Sequence, residues 1–185
     1  MFRDVFTETE TKMKKSIEVL RSDFSTLRAG RANPALLEKI RVEYYGTLTP
    51  LNQVANISAP EPRLLTVQPW DKTILEDIEK AILKSDLGLN PNNDGNILRI
   101  AIPQLTQESR EELVRTIKKK AEETKVSIRN IRREANEQIK NREKAEGVSE
   151  DIVKKAQEKV QELTDKYIEE IERVFEAKEK EVMEV

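Results

Sequence analysis

The 185-residue chain contains no cysteine and no histidine. Without cysteine there is no disulfide, no thiolate metal site and no thiol nucleophile. Without histidine the commonest general base and the commonest metal ligand are missing as well. Long apolar runs are also lacking. Met1-Phe2-Arg3-Asp4-Val5-Phe6 holds no run of signal-peptide length, and nothing approaches the roughly 20 apolar residues of a membrane span. No glycine-rich phosphate loop follows a strand, and no nucleophile elbow is present. Acidic pairs such as Glu169-Glu170 lie on helical pattern with no cleft to shift their pKa values. The expectation is a soluble, cytoplasmic, monomeric protein without cofactor or metal, and not an enzyme.

Proline and glycine are scarce where they would do most harm. All seven prolines and four of the five glycines fall between residues 30 and 103, leaving only Gly147 in the flanks. Both residue types are disfavoured in helix interiors, by lost hydrogen bonds and ring clash or by backbone entropy. The sequence therefore predicts a long helix, a compact mixed insert, and two further long helices. Helix one covers about residues 2–28. Helix two follows Pro103 with Thr106 as its N-cap and fades near Glu143. Gly147-Val148-Ser149 makes the turn, with Ser149 capping helix three.

The insert, 31–103, alternates from Lys39 to Tyr45, reads as short strands over 54–59 and 63–68, and ends in a strand over 96–102. Asp71 caps its helix, and Asn92-Asn93-Asp94-Gly95 forms a turn. The turn is not an ion loop, because it lacks the alternating acids of a calcium site. Tyr44, Tyr45 and Trp70 are expected in core or junction packing. The predicted class is α+β: an elongated antiparallel three-helix bundle (1–30 and 104–185) with an inserted small β/α/β domain. The two crossings, Ala29-Gly30-Arg31 and Pro103-Gln104-Leu105, are candidate hinges or rigid corners alike.

The net charge of −2 hides a division. Residues 110–145 carry twelve bases against seven acids, whereas residues 146–185 carry seven against thirteen. Leu113, Ile117, Ala121, Thr124, Ile128, Ile131, Ala135 and Ile139 recur every three or four residues and stack on one helix face. Beside that stripe an arc about 100° wide holds Arg115, Lys118, Lys125, Arg129, Arg132, Arg133 and Lys140, with Glu122 as its only acid between 115 and 140. This cationic edge, roughly 38 Å long, suits either an extended polyanion or an acidic neighbouring helix. Glu158, Glu162, Asp165, Glu169 and Glu172 are the candidate internal partners. A coiled-coil scaffold that binds protein through its rods is a further class. It would show little salt dependence.

Four stretches are diagnostic together: Leu27-Arg28-Ala29-Gly30-Arg31-Ala32-Asn33-Pro34, Val42-Glu43-Tyr44-Tyr45-Gly46, Asp86-Leu87-Gly88-Leu89-Asn90-Pro91 and Arg129-Asn130-Ile131-Arg132-Arg133-Glu134-Ala135-Asn136. With Leu163-Thr164-Asp165-Lys166-Tyr167-Ile168 and the terminal Lys178-Glu179-Lys180-Glu181-Val182-Met183, the chain resembles the bacterial ribosome recycling factor family along its whole length. The resemblance implies an L-shaped pair of domains. It implies action with elongation factor G and GTP after termination, releasing ribosomes from messenger RNA and splitting them into subunits. It also implies contact between the bundle and ribosomal RNA of the large subunit. The family's RNA-contacting arginines map to Arg129, Arg132 and Arg133, and positions near the hinge to Arg28 and Arg31. Arg110, Lys118 and Lys125 are further candidates. Ser109 stands where the family usually carries arginine, removing one positive charge beside Arg110.

Overall fold

The structure is a computed structural model and describes residues 1–27 and 30–184. The chain folds as two compact units, Met1–Phe24 with Glu111–Val185 and Ser25–Arg110.

The first unit is helical. Helix α1 spans Arg3–Ser25, α3 spans Gln107–Glu146 from the end of the second unit onward, and α4 spans Glu150–Met183. The three-or-four rhythm buries one stripe of each rod. Met13, Ile17, Leu20 and Phe24 are buried on α1, Ile117, Ile128 and Ile139 on α3, and Val160, Leu163, Tyr167 and Ile171 on α4. At one end Phe2, Val5, Ala135, Ile139, Val153, Ala156 and Val160 form a single cluster drawn from all three.

Ion pairs between helices fix the directions. Arg142 meets Asp4, Lys12 meets Glu134, and Lys120 meets Asp23, so α1 and α3 run antiparallel. Lys125 meets Glu172 and Arg132 reaches Gln161, so α3 and α4 are antiparallel too. Thr106 caps α3 as its sequence implies, its Oγ1 accepting from Ser109 N at 3.0 Å. Ser149 stands at the α4 N-cap, but its side chain accepts no capping bond.

The second unit has two sheets. Strands β1 (Arg41–Tyr44) and β2 (Thr47–Pro50) form an antiparallel hairpin. Its two-residue turn puts Tyr45 at φ 50° and Gly46 at φ 78°, the pair of positive angles that matches strand twist. A four-stranded sheet follows, ordered β3 (Ala55–Glu61), β4 (Leu64–Pro69), β6 (Leu98–Ala101), β5 (Pro91–Asn93), with antiparallel pairings. Helix α2 (Leu75–Lys84) packs Leu75, Ile78 and Ile82 into a core with Leu65, Val67, Leu98 and Ile100. Asp71 caps the 3₁₀ turn leading into α2, accepting from Thr73 N at 2.9 Å.

Two short strands were not expected from sequence. β2 is an exposed edge, and β5 is built from Pro91, Asn92 and Asn93, which favour turns. Packing around the aromatics also differs from expectation. Tyr45 is 86% exposed and Trp70 68%, because the hairpin turn and the end of β4 carry them outward. Tyr44 alone is half-buried, against the core.

Candidate functional site

The cations of α3 are sorted by their neighbours. Arg142 and Lys120, off the basic edge, and Lys125 on it are neutralised across the bundle. Arg142 Nη1 donates to Asp4 Oδ1 at 2.9 Å, and Lys120 lies 4.0 Å from Asp23. Lys125 has a side chain only 12% exposed, bound to Glu172 and to Glu122 at 3.3 Å. The Glu172 hydrogen bond holds Lys125 above the ordinary lysine range. Lys125 is therefore an interhelix tie.

The outward cations are different. Among the described residues, Arg115, Lys118, Arg129, Arg133 and Lys140 make no ion pair. Arg133 Nη1 contacts only the neutral Asn130 Oδ1, at 3.3 Å. Arg132 Nη1 reaches Gln161 Oε1 at 3.4 Å, and Gln161 Nε2 in turn donates to Asp165 Oδ1 at 2.8 Å. Of the five α4 acids that could have neutralised the edge, Glu172 alone pairs with α3 among the described residues. Glu162 pairs with Lys159, and Glu169 with Arg173. The cationic edge is thus left largely uncompensated. Guanidinium groups in that state can each offer two parallel donors to a phosphate.

The remaining candidates are not residues of this arc. Arg110 is 8% exposed and belongs to the second unit. Arg31 is exposed. Arg28 and Ala29 lie outside the described residues. The other hinge candidates, Gly30, Arg31, Pro103, Gln104 and Leu105, all fall inside the second unit near its two ends. Gly30 takes φ 77°, and a Cβ there would sit 3.4 Å from Leu105 Cγ. Gln104 Oε1 accepts from Arg63 Nη1 at 3.3 Å.

Two features escaped the sequence. Gln161 carries no charge to flag it, yet it holds Arg132. Asn136 lies on the edge between Arg132 and Lys140 with Oδ1 buried and unpartnered. No helix among the described residues is long and apolar enough to cross a membrane.

Long antiparallel helices with one largely uncompensated basic edge, and a small antiparallel-sheet unit, define a two-unit α+β protein. The chain belongs to a family of translation factors, because the ribosome recycling factor family model matches residues 20–183. The ribosome-recycling factor of Heliobacterium modesticaldum is 61% identical over 185 residues, covering all of both chains. That of Syntrophomonas wolfei is 58% identical over the same span. A solution structure of the ribosome recycling factor matches with a TM-score of 0.82 at 48% identity, covering 100% of this chain and 98% of that one. A second matched structure describes the T. thermophilus ribosome recycling factor and the E. coli elongation factor G bound to the E. coli post-termination complex. It matches with a TM-score of 0.70 at 49% identity over the whole of both chains.

Proposed function

We propose that this chain, with elongation factor G and GTP, frees ribosomes from messenger RNA after termination and splits them into subunits in the cytoplasm. The matched factor bound with elongation factor G on a post-termination complex supports the partners. The bundle (1–30 and 104–185) lays the outer edge of α3 on large-subunit ribosomal RNA. Arg129, Arg132, Arg133 and Lys118 make the contacts. The inserted domain (31–103) swings about 29–31 and 103–106. The protein works as a monomer and performs no chemistry of its own.

One observation carries the RNA assignment: the outward cations of α3 lack acid partners while the inward ones have them. Folded RNA presents dense phosphates and is bound largely through backbone and shape, which a rigid row of arginines suits. Isolated large subunits should bind the protein with steep salt dependence. Arg132→Ala should weaken that binding without loss of helicity measured by circular dichroism. Binding at low ionic strength that is indifferent to Arg129→Ala with Arg132→Ala would overturn the assignment. A subunit-splitting assay with and without elongation factor G tests the wider reading.

A further inference from the structure

The hairpin of the second unit leaves one strand edge open. Among the described residues β1 pairs with β2 alone, and Leu51 N donates to Ile40 O at 3.0 Å. Antiparallel ladders alternate, so Ile40, Val42 and Tyr44 turn their backbone groups towards β2. Arg41 and Glu43 then turn their N–H and C=O groups away from it. Among the described residues no backbone group meets them. This open edge borders a groove of about 750 Å³ between β1 and α2. Leu36, Val42, Ala81 and Leu87 supply its apolar surface.

The groove has a polarity. Tyr44, at the end of β1, lies within electrostatic reach of Asp71, the cap of the turn that leads into α2. Strand and helix therefore run antiparallel. Glu43 and Asp77 flank one end, and Lys39, Lys80 and Lys84 the other. Asp77, Lys80 and Lys84 share one face of α2 by their spacing. Among the described residues none of these five groups is ion-paired.

The geometry points to a strand-addition site. An extended segment of a partner protein, apolar at alternate positions and acidic at the end over Lys39, Lys80 and Lys84, adds to the open edge of β1. Unmet donors and acceptors at strand spacing are what an extended peptide satisfies, and alternate side chains fill the apolar surface. Pairing antiparallel to β1 places the acids at the C-terminal end of the added segment. Acids at the opposite end of the groove disfavour a phosphate chain running its full length. The proposal stands independently of the ribosome reading.

The probe is a labelled decapeptide, Lys-Lys-Val-Thr-Val-Thr-Val-Thr-Asp-Asp, with a charge-swapped decapeptide as control. The first should bind at least tenfold tighter than the second, and should shift the Arg41 and Glu43 amide resonances and slow their exchange. Glu43→Pro removes an outward N–H that β2 does not use, as edge strands tolerate, and should weaken binding at least tenfold. Lys80→Glu with Lys84→Glu changes only exposed charges and should reverse the preference between the two peptides. Unshifted Arg41 and Glu43 amides at millimolar peptide would overturn the proposal, as would full binding by both variant proteins. Displacement of those same amides by oligouridylate alone, or by self-association seen in sedimentation, would give the edge to RNA or to a second copy and overturn it equally.

Discussion

Asp94 illustrates how one carboxylate organises a turn. Its Oδ1 accepts from the N–H groups of Asn96 and Ile97, each at 2.9 Å, and its other oxygen meets Arg99. The backbone bonds from Ile97 and Asn96, then the Arg99 guanidinium, lower its pKa from 3.8 to about 2. A depressed carboxylate stabilises the fold fully above its unfolded pKa and loses that contribution as pH falls through its folded value. Asp94→Asn keeps an acceptor for the backbone bonds but removes the charge. Native-state exchange of the β6 amides should therefore separate protein from variant above about pH 4 and converge only below about pH 2. A gap that does not change with pH would show that charge plays no part in the turn.

Tyr167 carries the opposite sign. Burial, then its hydrogen bond to Glu10 at 2.9 Å, pushes its hydroxyl up to about 12. That contribution is intact below the ordinary tyrosine value near 10 and disappears as pH rises through about 12. Tyr167→Phe deletes it and should cost about 1 kcal/mol in urea unfolding at neutral pH. The loss should fade towards pH 12.

At the scale of elements, the two sets of cations on α3 should respond differently to mutation. Arg129→Ala and Arg132→Ala should each flatten the log–log salt dependence of large-subunit binding by about one unit, with little change in unfolding. Lys125→Ala should leave that slope unchanged. It should instead lower bundle stability by about 1 kcal/mol, because Glu172 loses its partner and is only partly solvated. Equal slope changes for all three would mean that the inward and outward sets act alike.

The same helix shows what a sequence can disclose. Its apolar stripe and basic arc follow from periodicity, so both could be read from spacing alone. Which cations are already neutralised could not be read. The deciding acids, Asp4, Asp23 and Glu172, come from other helices far away in sequence. Only tertiary register brings them to Arg142, Lys120 and Lys125. β2 and β5 were hidden for a related reason, since their pairing partners rather than their own propensities make them strands. The turn between α3 and α4 was legible because Gly147 needs φ 65° and helix interiors exclude glycine. A Cβ at Gly147 would meet nothing within 4 Å, so Gly147→Ala tests backbone strain alone. It should cost about 1 kcal/mol, and Gly147→Asn less, because asparagine tolerates the left-handed region better.

At the scale of the whole molecule, the described residues form separate core clusters. The cluster around Leu65, Ile78 and Ile100 contains only residues between 36 and 102, and the cluster around Val5, Ile139 and Val160 only Phe2 and residues from α1, α3 and α4. A factor proposed to grip RNA with one unit and swing the other requires each to hold its shape without help from the other's core. Leu65→Ala and Ile128→Ala both remove fully buried methyl groups, so each should cost about 2–5 kcal/mol. Native-state hydrogen exchange assigns that loss to a place. Leu65→Ala should accelerate exchange in β4 and β6 while α4 and the middle of α3 keep their protection. Ile128→Ala should do the reverse. If either substitution lowers protection equally in both units, they unfold as one cooperative body. Independent swinging of the inserted domain would then have no energetic basis.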